Sequence, residues 1–514
     1  SVSSAGDINN DGYDDLIIGA KWARPEGRGD QAGESYVIFG KADGYAASFE
    51  LSSLRVGNGG DGSDGFVIKG IDAHDESGGS VSSAGDINSD GYDDLIIGAP
   101  YARPEGRGDQ AGESYVIFGK AGGYAGSFEL SSLRPDNGGV GSEGFVIKGI
   151  DAHDRSGTSV SSGGDINNDG NDDIIISAPM RYGDTGESYV IFGKNVSEDG
   201  DFSASFELSS LASGDGSTGF VMKGIDAGDF SGYSVASAGD INNDGYDDVL
   251  ISGYVARGRA GETYVLFGKQ GGYNASLELS SLSTGNGSDG FAINGIDGYD
   301  YSGQQLSSAG DINGDGFDDI LIGASGGDPD GRTDAGESYL LFGKADGYAP
   351  VFELSSLSGG DGSAGFVING IAAGDQAYGV SSAGDINNDG YDDIVIGAQN
   401  ADPDGKTSAG QSYVVFGKDT GFGPSFELSS LENGDGSAGF VINGIAAGDR
   451  FGRTVSSAGD LNNDGFDDIL VGAWYADPNG VTDAGESYVI FGMSSFDPVI
   501  ELSDLTGLAL TGLA

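Results

Sequence analysis

The chain has 514 residues, 81 acidic against 24 basic, with a formal charge of −57, 98 glycines and no cysteine. That balance argues against nucleic acid or an anionic membrane surface as a partner, because both are polyanions. The cysteine count rules out a disulfide framework and thiol chemistry, and no apolar run approaches the ~18 residues of a membrane span. No signal peptide is visible, and the chain opens on Ser1 inside a repeat, as expected of a processed or excised part of something longer.

The first motif in the chain is Asp-Ile-Asn-Asn-Asp-Gly-Tyr-Asp-Asp, from Asp7 to Asp15, and it recurs from Asp86, Asp165, Asp240, Asp311, Asp385 and Asp460. Every copy keeps Asp at positions one, five, eight and nine, Asn at three and Gly at six. Oxygen-bearing side chains at alternate positions, with a glycine where the chain turns sharply, suit a hard cation such as Ca²⁺, about seven ions in all. The copies lie 79, 79, 75, 71, 74 and 75 residues apart. Such regularity predicts one repetitive architecture rather than several unrelated domains.

One repeat can be taken in full from Ser80. Ser80–Gly85 is a strand of small residues that runs straight into the metal loop. Leu95–Pro100 is a continuous apolar run, as expected of a strand buried on both faces. A polar turn, Arg103 to Gly112, leads to a third strand, Glu113–Gly119. A long connection follows, extended where it begins at Ser127-Phe128-Glu129 and tightly turned at Ser131-Ser132-Leu133, before a fourth strand over Phe145–Ile150.

Four short strands per unit, seven units and no helical period predict an all-β fold: a seven-bladed β-propeller of four-stranded antiparallel blades, with a Ca-binding loop between strands one and two of each. The first strand, rich in Ser, Ala and Gly, suits the crowded axis. A linear solenoid is the alternative, but it wants atypical end caps. The whole chain, 1–514, reads as one domain with blades near 1–78, 79–157, 158–232, 233–303, 304–378, 379–453 and 454–514. Glu501 to Leu505 ends the last connection, and Leu508 to Leu513 aligns with Phe440–Ile445 as a fourth strand. Each blade is then contiguous and the ring closes by blade packing alone; the alternative is that sequence upstream of Ser1 supplies that strand.

Gly-Asp-Ile-Asn-Asn-Asp-Gly-Tyr-Asp-Asp-Leu-Ile-Ile-Gly-Ala resembles the FG-GAP repeat of integrin α-subunit propellers and their bacterial secreted or surface relatives. Phe451-Gly452 retains the Phe-Gly element and Gly98-Ala99-Pro100 the Gly-Ala-Pro element. The Phe-Gly element becomes Ser77-Gly78 and Tyr378-Gly379 elsewhere, and Gly-Ala-Pro ends on Lys21 in the first repeat. The resemblance implies metal ligation by side chains one, three, five and nine and by the carbonyl of seven. Those residues are Asp7, Asn9, Asp11, Tyr13 and Asp15; Asp86, Asn88, Asp90, Tyr92 and Asp94; Asp165, Asn167, Asp169, Asn171 and Asp173; Asp240, Asn242, Asp244, Tyr246 and Asp248. The later loops supply Asp311, Asn313, Asp315, Phe317 and Asp319; Asp385, Asn387, Asp389, Tyr391 and Asp393; and Asp460, Asn462, Asp464, Phe466 and Asp468. The eighth-position Asp, such as Asp14 or Asp93, is outside the implied ligand set and is expected to face solvent or end the hairpin.

Catalytic chemistry finds little support. His74 and His153 sit in equivalent linkers as loop residues. Gly323-Ala324-Ser325-Gly326-Gly327 matches a nucleophile elbow but lacks the helix that motif needs. Carboxylates repeated seven times do not define a site that must occur once. Arg28-Gly29-Asp30 and Arg107-Gly108-Asp109 read as variants of an acidic turn. The face opposite the metal loops carries the 2–3 and 4–1 turns, and Trp22, Tyr101, Trp474 and Tyr475 beside Arg24, Arg103 and Arg257 form a candidate binding surface. The expectation is a non-catalytic, calcium-stabilised extracellular or cell-surface module for adhesion to a protein or glycan. The alternatives are an architectural subunit that contacts copies of itself, and an accessory domain of a larger secreted enzyme.

Overall fold

The computed structural model describes every residue except 43, 346, 505–507 and 512–514. Leu505, Gly512 and Leu513 of the predicted last connection and strand therefore lie outside the described residues. The rest of that strand forms, as Leu508–Thr511, antiparallel to Glu486–Ile490.

The second repeat shows how one blade is built. Ser80–Gly85, Asp94–Ala99, Glu113–Ile117 and Gly144–Lys148 pair in sequence order as an antiparallel meander. The second strand is buried at all six positions, as its unbroken apolar run requires. The repeat occurs seven times, and the first strands of consecutive blades adjoin in a closed ring. The chain is a seven-bladed β-propeller. Among the described residues the helical pieces are short, at most six residues.

Each sheet has five strands rather than the four expected. The Ser-Phe-Glu stretch midway along the 3–4 connection, Ser205–Glu207 in the third repeat, crosses to the preceding blade and pairs parallel with its fourth strand. That strand would otherwise present a row of unpaired N–H and C=O groups at the rim. Closure is corrected for the same reason. Ser48, Phe49 and Glu50 from the first repeat pair with Ala509, Leu510 and Thr511 of the last, so the ring closes by backbone pairing as well as by packing.

The core is seven inter-blade clusters, not one central mass. One gathers Ile17, Val37 and Phe66 with Leu95, Ile97 and Tyr115 from the next blade, and another joins Leu16 and Ile38 to Leu470 and Val489 across the closing junction. The third-strand tyrosine is fully buried in most blades, and its hydroxyl needs a partner there. Tyr115 Oη donates to Glu113 at 2.6 Å, and Arg134 reaches the same carboxylate at 2.7 Å. Tyr115→Phe removes one charge-assisted hydrogen bond and leaves the ion pair. It is expected to lower unfolding free energy by about 1.5–3 kcal/mol, measured by urea titration against the parent chain.

Candidate functional site

The acidic loops close on themselves before any ligand is considered. In the second copy, Asp86 accepts from the backbone N–H of Asp90 at 3.0 Å and of Gly91 at 2.9 Å. Asp90 accepts from the N–H of Tyr92 at 3.2 Å. The ninth-position carboxylate is buried at the base of the loop, where Asp94 accepts from the N–H of Gly119 at 2.8 Å. Gly91 has φ +88°, the sharp turn for which position six keeps glycine.

Two kinds of oxygen in these loops are buried without a hydrogen-bond partner: Oδ1 of the third-position Asn88, Asn167, Asn242, Asn387 and Asn462, and Oδ2 of Asp94. In the fifth copy the equivalent Asn313 oxygen accepts from the N–H of Asp315 at 2.9 Å. Burial pushes the ninth-position carboxyls up, Asp15 to about 9 and Asp173, Asp319, Asp393 and Asp468 to about 8, against the hydrogen bond that each accepts. The nearby charges of positions one and five add to the rise, and Asp94 and Asp248 also stand well above the ordinary range. Among the described residues, no three His, Cys, Asp or Glu side chains are gathered at metal-binding spacing.

The seventh position is not equally inert in every copy. Asn171 donates to Asp169 at 2.5 Å and accepts from Ser89 of the preceding blade at 2.5 Å. Its side chain therefore joins two loops.

The eighth-position Asp differs from expectation. It neither faces solvent nor merely ends a hairpin. Asp93 accepts from the N–H of Asp7, Asp172 from Asp86, Asp247 from Asp165, Asp318 from Asp240, Asp392 from Asp311, Asp467 from Asp385, and Asp14 from Asp460, each at 2.8 Å. Seven identical clasps thus tie every blade to the next, including the closing pair. The cause is the glycine before each loop. Gly85 has φ +63°, and a Cβ there would lie 2.2 Å from Asp172 Oδ2. The fourth position reinforces the ring in five blades, where Asn10, Asn168, Asn243, Asn388 and Asn463 each donate to the sixth-position carbonyl of a neighbour. The repeated Gly before the loop and the Asp pair at its end were the sequence signal for this ring.

The two Arg-Gly-Asp turns are structural. Arg28 pairs with Glu129 at 2.6 Å and Arg107 with Glu207 at 2.5 Å, both on the crossing fifth strands. The carbonyls of Asp30 and Asp109 accept from the backbone N–H groups of His74 and His153 at 2.9 Å. Ser325 follows the strand Asp319–Ala324 and bonds Gln304, with no α-helix after it.

The candidate binding surface is partly open. Trp22 is 47% exposed and meets Trp474 edge-on at 5.7 Å, and Arg453 lies 4.2 Å from the Trp474 ring. Arg155 covers Tyr101 and Arg450 covers Tyr475, while Arg24 and Arg103 face Asp30 and Asp109 at 3.5 Å. Among the described residues, the exposed large aromatics are Trp22, Tyr182, Tyr233 and Tyr299. All four lie in 2–3 turns or 4–1 linkers, on the face away from the acidic loops. Tyr182 and Tyr299, at φ +54° and +80°, were not among the aromatics singled out in the sequence.

Seven sheets around a closed ring, each blade clasped to the next through an acidic loop, define a propeller of the repeat type. The FG-GAP repeat family model matches residues 1–38, 77–117, 156–191, 231–266, 302–341, 377–415 and 451–490, more than half of the chain. The chain belongs to the FG-GAP repeat family. Integrin alpha pat-2 of Caenorhabditis briggsae is 30% identical over 258 residues, 48% of this chain and 18% of that protein. Integrin alpha-4 of Xenopus laevis is 26% identical over 251 residues, 49% of this chain and 20% of that one. Phosphatidylinositol-glycan-specific phospholipase D of Bos taurus is 33% identical over 111 residues, 22% of this chain and 12% of the enzyme. The chain matches about a fifth of the length of those integrin chains. No helix among the described residues is long and apolar enough to cross a membrane.

Proposed function

We propose that the chain is a calcium-stabilised, non-catalytic propeller that serves adhesion outside the cell by binding a protein or glycan partner. The observation that carries this reading is the buried third-position Asn oxygen without a hydrogen-bond partner in five of the loops. A buried acceptor left unpaired costs about 1–3 kcal/mol, and five repetitions make a defect an unsatisfactory account. A hard divalent cation answers it, because carboxylate and carboxamide oxygens are the donors calcium takes. The side chains at positions one, three, five and nine would hold the ion with the carbonyl at seven. When bound, it supplies positive charge among carboxylates that otherwise repel one another.

Near-identical loops cannot specify a partner, whereas the 2–3 and 4–1 turns differ from blade to blade. Exposed aromatics beside arginines there offer flat apolar area and charge together, the composition that dominates binding hot spots. The likeness to integrin alpha chains supports the adhesion reading. The phospholipase match favours one second reading, an accessory propeller attached to a secreted enzyme.

The test is an array of extracellular proteins and glycans probed with the whole chain in calcium. Binding that drops at least tenfold in Trp22→Ala with Tyr182→Ala, at unchanged melting temperature, supports the reading. Binding that ignores both substitutions contradicts the assignment to this face.

A further inference from the structure

In the second and third blades the carboxylate that opens the third strand is answered by an arginine. Arg134 pairs with Glu113 at 2.7 Å and reaches Asp72 of the preceding 4–1 linker at 3.7 Å. Arg181 is 5% exposed and pairs with Asp151 at 3.0 Å, with Glu187 at 2.5 Å and with Asp154. The two arginines come from different elements, Arg134 from the end of the Leu130–Leu133 turn and Arg181 from a 2–3 turn. What the junctions share is one guanidinium set between linker and third-strand carboxylates. In the sixth blade, which has no such arginine, the acids change as well. Gln411 stands for the third-strand Glu and Ala372 for the first linker Asp, and Gln411 Nε2 donates to Asn443 Oδ1 at 2.8 Å. At Asp226, Asp229 and Glu262, Arg257 of the adjoining turn partly offsets the charge.

The junction of the fourth blade with the fifth keeps the acids without the arginine. Asp297, Asp300 and Glu337 hold the places of Asp151, Asp154 and Glu187, and Ser358 follows Leu357 as Arg134 follows Leu133. With Asp328 and Asn369 they line a cavity of about 520 Å³, a volume in the range of small-ligand pockets. Asp300 is 6% exposed and accepts from the N–H of Asp297 at 2.9 Å through Oδ2, while its Oδ1 has no hydrogen-bond partner among the described residues. Its counterpart Asp154 makes the same backbone bond and holds Arg181 besides. Glu337 accepts from Tyr339 at 2.5 Å. Asn369, beside Glu337 in the ladder, receives no side-chain N–H of the kind that Gln411 gives Asn443. Arg332 of the adjoining turn is spent on Glu427 at 3.0 Å, as Arg107 is on Glu207 in the blade that also has Arg134. Burial lifts the Asp300 carboxyl to about 6 and raises Glu337, and neighbouring carboxylates add to both rises. Buried carboxylates without a counter-charge are costly.

We propose that this cavity is a binding site for one guanidinium group, carried by a free guanidino compound or by an arginine of another polypeptide. The planar group donates to Glu337, Asp297 and the free Oδ1 of Asp300, in the places where Arg181 pairs at its own junction. Its forked donors match carboxylates as a single ammonium does not. The site needs neither calcium in the loops nor an adhesion partner.

The probe is agmatine, titrated calorimetrically into the whole chain in millimolar calcium. The control is 1,5-diaminopentane, which carries the same two positive charges without the guanidinium fork. Saturable one-to-one binding of agmatine, at least tenfold tighter than the diamine, is expected. The double variant Asp297→Ala with Glu337→Gln copies Ala372 and Gln411 of the sixth blade. It should bind agmatine at least tenfold more weakly, with no fall in melting temperature in the absence of ligand. The peptides Gly-Ser-Arg-Ser-Gly and Gly-Ser-Lys-Ser-Gly separate the sources. A preference for the Arg peptide over both agmatine and the Lys peptide assigns the group to a polypeptide, and tighter agmatine assigns it to a free compound. No saturable binding of either guanidinium probe overturns the proposal, as does equal binding of agmatine and the diamine, or agmatine binding unchanged in the variant. A large fall in the variant's melting temperature also overturns it, because the two carboxylates would then already be partnered. The comparison of agmatine with the diamine stands whether or not the variant folds.

Discussion

Chelation with EDTA is expected to lower the melting temperature of the chain by well over ten degrees and to loosen or unfold the ring. At free calcium ~100 times Kd, each occupied loop adds about 2.7 kcal/mol to stability. Three such loops already supply about 8 kcal/mol, within the roughly 5–15 kcal/mol net stability of a folded domain. The effect has a second source in the geometry. The loop that carries Asp86, Asp90 and Asp94 also holds the N–H of Asp86 against Asp172 of the next blade. Repulsion among the carboxylates therefore acts on the clasp between blades as well as on one hairpin. Calcium added back should restore the transition, whereas magnesium, which demands tighter octahedral geometry and keeps its waters, should restore less. An EDTA melting curve that superimposes on the calcium curve would contradict the metal reading while leaving the propeller intact.

Gly85→Val is expected to destabilise the chain by roughly 3–5 kcal/mol, from crowding together with loss of a charged hydrogen bond. Gly85 sits at φ +63°, which a β-branched residue resists, and its Cβ would lie 2.2 Å from Asp172 Oδ2. The substitution both strains the first strand and ejects the carboxylate from the N–H of Asp86. Asp172→Ala separates the two parts, since it removes the acceptor without crowding and should cost about 1.5–3 kcal/mol. Gly27→Asn is the control. That glycine also has positive φ, +80°, but open space surrounds it, so the change should stay within about 1 kcal/mol. Equal urea midpoints for Gly85→Val and Gly27→Asn would show that the clasp contributes nothing to holding blades together.

The blade itself was legible because each of its strands is specified locally. Leu95-Ile96-Ile97 is apolar on both faces, Gly85 and Gly91 mark the turns around the loop, and seven repetitions fix the spacing. What was not legible depends on a neighbour that lies a full repeat away in the chain. Ser127-Phe128-Glu129 reads as extended, but nothing in those residues says that Val67 to Lys69 of the preceding blade is their partner. The same holds for the eighth-position Asp, whose acceptor role requires an N–H 86 residues away in the case of Asp93 and Asp7. Arg28-Gly29-Asp30 reads as an acidic turn, but nothing in those residues says that Arg28 pairs with Glu129 of the next blade's connection. Local pattern thus determines the unit, and ring closure assigns its polar residues to partners.

The calcium reading is tested most directly by counting ions in native mass spectrometry of the chain purified in millimolar calcium and exchanged into volatile buffer. Seven calcium ions per chain, falling to six in Asn88→Leu with the fold retained, is the result predicted. A chain that stays folded and carries no calcium would contradict the account.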